Sequence, residues 1–478
     1  MQIPARSFHH RIPVLLTAAA FALAGASGLY ATNGMNMEGY GPIATAMGGA
    51  SFGYDNGTAA IINNPATLGI LPENGGYERG RLDLALGVLG PSITAISPDG
   101  APAKSTATSF FMPAMGYTQR SGNLVYGLGI FGQGGMGCEY EPDTWRGLGF
   151  NLRNRTEVSV GRVIAPLVWK VDDKLTIAAT ADFVWAGMDL KMAMGGSQFF
   201  DLVDPTQQHF GRASGTIVQS FGQIMQMLPE GTSVDYAYFD FSNGSDFTGA
   251  AGGYGYAAKI GVHYQASKQL AFGATYHSRT ALADLKASGY NLAFQLNVPG
   301  MGAMPQTLTG DFRVHDFEWP AMFGAGLSWQ PDNRWQFVAD IRQVQWASVM
   351  KQFHLSFVAN NDTANGSFAG QNLDAALYQS WDNQTVVMLG AAYKVDDKLT
   401  LRAGLNYGNN PVPDQYLNCL FPAIVEKHVS AGFGYQWSER SSIDFSLVHG
   451  FQEKRTSGYG VTVKHSQLNA QMLYSLRF

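Results

Sequence analysis

The 478-residue chain is short of charge: Asp, Glu, Lys and Arg together make up 14% of it, against roughly a quarter in soluble proteins. That is too little to solvate an ordinary exterior. It has two cysteines, Cys138 and Cys419, too few for a disulfide framework and not spaced as a metal site. Both fall on the outer side of the topology derived below, and whether they pair stays open. Beyond the first thirty or so residues, no window approaches the roughly 18 to 20 consecutive apolar residues of a membrane-spanning helix. The net charge is −5, and phosphate binding needs clustered positive charge, so no nucleic-acid partner is expected. The ten histidines are scattered without metal-ligand spacing, so neither zinc nor any other cofactor is indicated. What is abundant is glycine (57 residues), aromatics (12%) and apolar residues overall (46%), a composition of strands and turns.

Residues 1–31 read as a secretory signal. Arg6 and Arg11 stand without an acidic neighbour, an apolar run covers Ile12 to Leu23, and small residues follow. Cleavage is expected after Ala26 or near Ala31, which makes the mature chain an exported one.

One unit recurs six times: an aromatic, a few residues of turn chemistry, then an apolar position. The copies are Tyr117 to Val125, Trp169 to Ile177, Tyr264 to Phe272, Trp329 to Phe337, Tyr393 to Leu401 and Tyr435 to Ile443. The second and fifth are nearly identical (WKVDDKLTI and YKVDDKLTL). Flanking residues alternate: Leu399, Leu401, Ala403, Leu405 and Tyr407 share one face, and Thr400, Arg402, Gly404, Asn406 and Gly408 the other. Each unit is therefore a hairpin turn between half-apolar strands. Asp172-Asp173 and Asp396-Asp397 sit in those turns, where Asp is turn chemistry and not a catalytic pair. The same polarity throughout, with so little charge, fits an all-β transmembrane antiparallel barrel whose outside is lipid and whose turn aromatics form a girdle. Six short turns imply seven hairpins, hence 14 strands, with the long connections on the outer face. The last strand alternates from Leu468 to Phe478, Leu473 being the one exception, and ends on an aromatic, resembling the signal by which outer-membrane barrels are taken up by the barrel-assembly machinery.

Residues 32–77 do not alternate, while 78–478 hold the strand pattern. Asn64-Pro65-Ala66 marks a helix start, with Asn64 as cap and Pro65 at the first helical position. Ile61, Ile62, Leu68, Ile70 and Leu71 are too apolar for a solvated linker, so this segment is expected as an N-terminal hatch plugging the barrel.

In order and spacing, Asn33-Gly34, Ala46-Met47-Gly48-Gly49-Ala50, Asn64-Pro65-Ala66, Trp319-Pro320 with Gly324-Ala325-Gly326-Leu327, Asp340, Trp346, Arg402-Ala403-Gly404 and Asn410-Pro411-Val412-Pro413-Asp414 resemble the long-chain fatty-acid transporter (FadL) family of Gram-negative outer membranes. That family includes transporters of toluene and xylene. The resemblance implies a 14-stranded monomer among outer-membrane lipid and lipopolysaccharide, multi-pass, with a hatch and a kinked third strand through which a hydrophobic small-molecule ligand leaves sideways. The counterpart in this chain is a glycine run whose Gly132, Gly134 and Gly135 weaken the ladder and permit a bulge. The match of Gly127-x-Gly129-x-x-Gly132 to a dinucleotide fingerprint opens no helix and is read as strand. The longest outer excursion carries Ile217, Phe221, Ile224, Met225 and Leu228 at helical spacing. With Phe199, Phe200, Met301 and Met304 they form a candidate greasy groove for first capture, or else a stripe packed on neighbouring loops.

The expected function is passive uptake of long-chain fatty acids or aromatic hydrocarbons through capture at the outer loops, hatch movement and lateral exit. The rivals are a general hydrophilic porin and an outer-membrane lipid hydrolase, which would need a Ser or Asn working with a His. Arg402, Asp182 and Asp340 are expected in the lumen, holding one another or a ligand carboxylate.

Overall fold

The computed structural model describes residues 33–70, 80–245 and 248–478. The secretory signal, its cleavage site and the hatch boundary at 77–78 lie outside them. No helix among the described residues is long and apolar enough to cross a membrane.

The alternating segments form a wall. Its strands are β1 (Gly80–Ile96), β2 (Phe110–Ser121), β3 (Leu124–Tyr140), β4 (Asn154–Lys170) and β5 (Leu175–Gly195). There follow β6 (Ala251–Gln265), β7 (Leu270–His277), β8 (Met322–Trp329), β9 (Trp335–Val344) and β10 (Gln384–Lys394). The last are β11 (Leu399–Gly408), β12 (Lys427–Gln436), β13 (Ser441–Thr456) and β14 (Thr462–Arg477). Each pairs antiparallel with the next. β14 returns to β1 from Arg81↔Arg477 to Ile96↔Thr462, so the ring closes and leaves no open edge.

All six short turns occur where the repeat places them, and three of them share a mechanism. The Asp172, Asp332 and Asp396 carboxylates each accept two backbone N–H bonds at 2.7–2.8 Å from residues two and three positions on. These bonds hold the three carboxyls below their ordinary pKa. The apolar face points outward: Leu84, Leu167, Ile260, Ile341 and Leu405 are exposed, as are Trp169, Tyr264, Trp329 and Tyr435 beside the turns. Lipid covers such a belt, and the rings sit at its rim.

The long outer connections contain more regular structure than bare loops. The sheet has 22 strands in all, so eight lie outside the ring. Strand Ser233–Phe241 takes the outer end of β5 and pairs with Leu285–Val298. The chain of ladders continues through Gly302–His315, Gln352–Ala359, Asn372–Tyr378 and Gly211–Ser214. These segments alternate as the wall does, and Phe241, Phe312 and Phe357 pack ring to ring across them at 4.6–4.9 Å.

Residues 33–70 run inside the ring as short helical turns, Pro42–Thr45, Gly57–Ile61 and Pro65–Ile70, with almost every side chain buried. Asn64 does cap the last of them, accepting from Ala66 N–H at 3.2 Å, while its Nδ2 donates to Phe52 O (2.8 Å) and to Val262 O of β6 (3.1 Å). Wall glycines make room for this close approach: a Cβ on Gly273 would stand 1.6 Å from Phe52 O, and one on Gly404 1.9 Å from Gly48 N. Polar wall residues then satisfy plug backbone groups that have no water. Asp340 Oδ2 accepts from Ser51 N–H (2.6 Å) and Phe52 N–H (2.9 Å), and Asp83 Oδ2 from Thr58 N–H (2.8 Å).

Candidate functional site

The wall is incomplete at one place. β2 and β3 pair only from Met115↔Ile130 to Ser121↔Leu124. Above that, β2 stays on β1 as far as Phe110↔Leu89, and β3 leaves it. The register of β3 against β4 slips between Gly132 and Gly134, a bulge that bends the strand inward. The plug receives the bend: Asn36 bridges Gly134, and Gly135 N–H donates to Met35 O at 3.1 Å. Gln133, the inserted residue, is buried. Its carbonyl accepts from Tyr40 Oη–H, and its Nε2 donates to that same oxygen at 3.3 Å. Ladder bonds lost between β2 and β3 are thus replaced by bonds to the hatch.

A cavity of about 210 Å³ occupies the gap. Phe110, Phe111, Met112, Ile130 and Phe131 form much of its surface, and Gly132, Gly134 and Gly135 line it too. No Lys or Arg is among its lining residues, where the titratable side chains are Glu157 and His465. Glu157 is already paired with Arg155 at 2.7 Å. A charged guest would lose its hydration here without a counter-ion, which is costly, whereas each buried methylene of an uncharged one gains about 0.8 kcal/mol. Met112, Phe131 and Gly132 also bound a smaller space of about 30 Å³ between plug and wall.

Arg402, Asp182 and Asp340 are committed to other partners. Arg402 pairs with Asp444 (2.7 Å), Asp182 is held by Arg162 (2.9 Å) and Lys259, and Asp340 is taken by the hatch. Arg402 and Asp182 are therefore interior ion pairs, the simpler of the two sequence expectations.

The outer stripe lies on helices α1 (Gly196–Val203) and α2 (Thr216–Met227). Phe221 packs against Phe199 (centroids 4.9 Å) and Phe294 (5.6 Å). Ile217 and Phe221 are buried, while Ile224, Met225 and Leu228 are partly buried against the same cluster. These five side chains face protein and not an open groove. Phe200 and, on the Leu285–Val298/Gly302–His315 hairpin, Met301 and Met304 are exposed. What the stripe's spacing could not show is its partner, Phe294, which lies in another loop.

One constellation of hydrolytic type appears that the sequence did not reveal. His315 Nδ1 lies 2.9 Å from Asp284 Oδ2, and its Nε2 2.7 Å from Ser356 Oγ. Ser356, however, is mid-strand, in register with Arg313 on one side and Asp374 on the other. Ladder pairing there leaves no two free N–H groups to receive an oxyanion, which acyl transfer requires. The three residues cross-link strands. Among the described residues no cluster of three or more His, Cys, Asp or Glu could hold a metal ion.

A closed ring with a lipid-facing exterior, a lumen filled by its own N-terminal segment and an apolar gap in the wall defines a plugged channel of the outer membrane. The chain belongs to the outer membrane protein transport family (OMPP1/FadL/TodX), which it matches over residues 15–471. By that description the family is one of outer membrane transport proteins. The chain's structure is similar to that of the Pseudomonas putida toluene transporter TodX, with 30% identity, a TM-score of 0.77 and coverage of 92% of this chain and 99% of that one. It is also similar to the Ralstonia pickettii toluene transporter TbuX, with 28% identity, a TM-score of 0.72 and coverage of 93% and 99%. By sequence it is similar to the long-chain fatty acid transport protein of Escherichia coli K12, 26% identical over 252 residues, which are 50% of this chain and 52% of that protein. The chain thus spans about half the length of the curated relatives it matches.

Proposed function

We propose that this protein takes up small uncharged hydrophobic molecules, monoaromatic hydrocarbons foremost, and releases them sideways into the outer membrane between β2 and β3. The observation that carries this reading is the wall cavity: apolar, without a cation, and placed where the ladder is missing. A fatty acid would bring a carboxylate to a site that holds a carboxylate already. The solved relatives named as toluene transporters, TodX and TbuX, point the same way. Capture begins among the outer aromatic and methionine side chains. Movement of hatch residues Met35 to Tyr40, which clamp the bulge, alters the width of the gap. A hydrophilic porin would need an open lumen, and residues 33–70 fill this one. Uptake of radiolabelled toluene and oleate by a Gram-negative host lacking its own channels, with and without this gene, tests the proposal. Toluene uptake at limiting concentration should rise several-fold while oleate uptake does not. Equal toluene uptake with and without the gene, or stimulation of oleate alone, would overturn it.

A further inference from the structure

A further cavity, of about 80 Å³, lies in the outer region, away from the wall gap. The loop between β3 and β4 supplies its charged residue, Arg146, from a single turn at Trp145–Gly147. Arg146 is only 6% exposed. Its Nη2 donates to the neutral Asn154 Oδ1 at 3.0 Å, and its Nε is buried without an acceptor. The buried Arg81, Arg155 and Arg162 each meet a carboxylate within 3 Å, while the equally buried Arg342 donates to a backbone oxygen, Met37 O, at 3.2 Å. Arg146 meets no carboxylate, and its guanidinium lies 5.2 Å from the centroid of the Trp145 ring. Asn154 cannot turn away to solvate it better: Asn154 Nδ2 donates to Arg146 O (2.8 Å) and its Oδ1 also accepts from Ala193 N–H (2.9 Å). A buried cation held rigidly without a counter-ion is a standing cost that an anion would relieve.

The rest of the cavity states what kind of anion. Met192, Met194, Leu202 and Leu377 give it an apolar body. Phe210 and Tyr459, stacked with centroids 3.7 Å apart, also line it, with Tyr459 36% exposed. We infer that this outer cavity binds a small amphipathic carboxylate, aromatic or short-chain aliphatic, with Arg146 as its counter-ion. The inference stands on the cavity's own geometry and is independent of the uptake reading, since the wall cavity suits uncharged guests and this one a charged head. Inorganic phosphate could also meet the guanidinium but would gain nothing from the methionine and leucine side chains.

Calorimetric titration of the full-length protein in detergent with benzoate, benzyl alcohol and inorganic phosphate tests it. Benzoate should bind at least tenfold more tightly than either of the others, and Arg146→Gln should lower benzoate affinity at least tenfold, with Arg146→Lys restoring part of it. Equal binding of benzoate and benzyl alcohol, phosphate binding as tightly as benzoate, or no benzoate binding at all would each overturn the inference. The three-ligand comparison on the unmodified protein decides the question even if the variant does not assemble.

Discussion

Filling the wall gap is the sharpest perturbation the structure offers, and the choice of glycine matters. A Cβ on Gly135 would stand 2.0 Å from Val158 O, on the backbone of β4, so a side chain there breaks the ladder and the barrel with it. A Cβ on Gly132 would meet Met112 Cε at 2.3 Å and Sδ at 3.3 Å, the free end of a flexible side chain that can swing aside. Gly132→Phe therefore directs a ring toward the 210 Å³ cavity while sparing β4. A ring-sized hydrocarbon buries about 150–200 Å², worth about 4–5 kcal/mol at about 25 cal/mol/Å². Losing half of that contact costs about 2 kcal/mol, roughly a thirtyfold fall in occupancy at 1.4 kcal/mol per factor of ten. Toluene uptake at limiting concentration should fall by at least tenfold, while heat-modified gel mobility still reports a folded barrel. A Gly132→Phe protein that folds and transports at the unmodified rate would refute the lateral path.

Two further outcomes follow from the same contacts. Asp340→Ala removes the acceptor of two hatch N–H groups, each worth about 1–3 kcal/mol; conductance to small ions in planar bilayers should increase, and an unchanged conductance would show that the hatch is held elsewhere. Cys138 and Cys419 are free and at most 5% exposed, so a maleimide should label neither in the folded protein and both after denaturation without reductant; fewer than two after denaturation would reveal a disulfide.

Several features of this protein were fixed by residues that are neighbours in the chain. A carboxylate at Asp172 or Asp396 accepting the N–H groups two and three residues later makes a turn whatever surrounds it. Period-two alternation sets which side of a strand is greasy before any partner is chosen. The six turns, the lipid-facing exterior, the Asn64 cap and the resemblance to an uptake family were therefore legible from the sequence. The outer stripe at Ile217 to Leu228 was legible as a helix but not as packing, because Phe294 is supplied by a distant strand.

Closure of the ring decided the rest. It brings Asp340 to Ser51 across 289 residues of sequence, gives Arg402 to Asp444, and leaves Arg146 among methionines with an asparagine for company. The glycines at 132 to 135 show that β3 can bend; that it bends inward, onto Met35 and Asn36, depends on a plug lying against it. Local chemistry specifies elements and their faces, since turns and alternation involve residues a few positions apart. Which charges remain unpaired and where a wall opens are properties of side chains meeting across a lumen, and only the folded ring sets those distances.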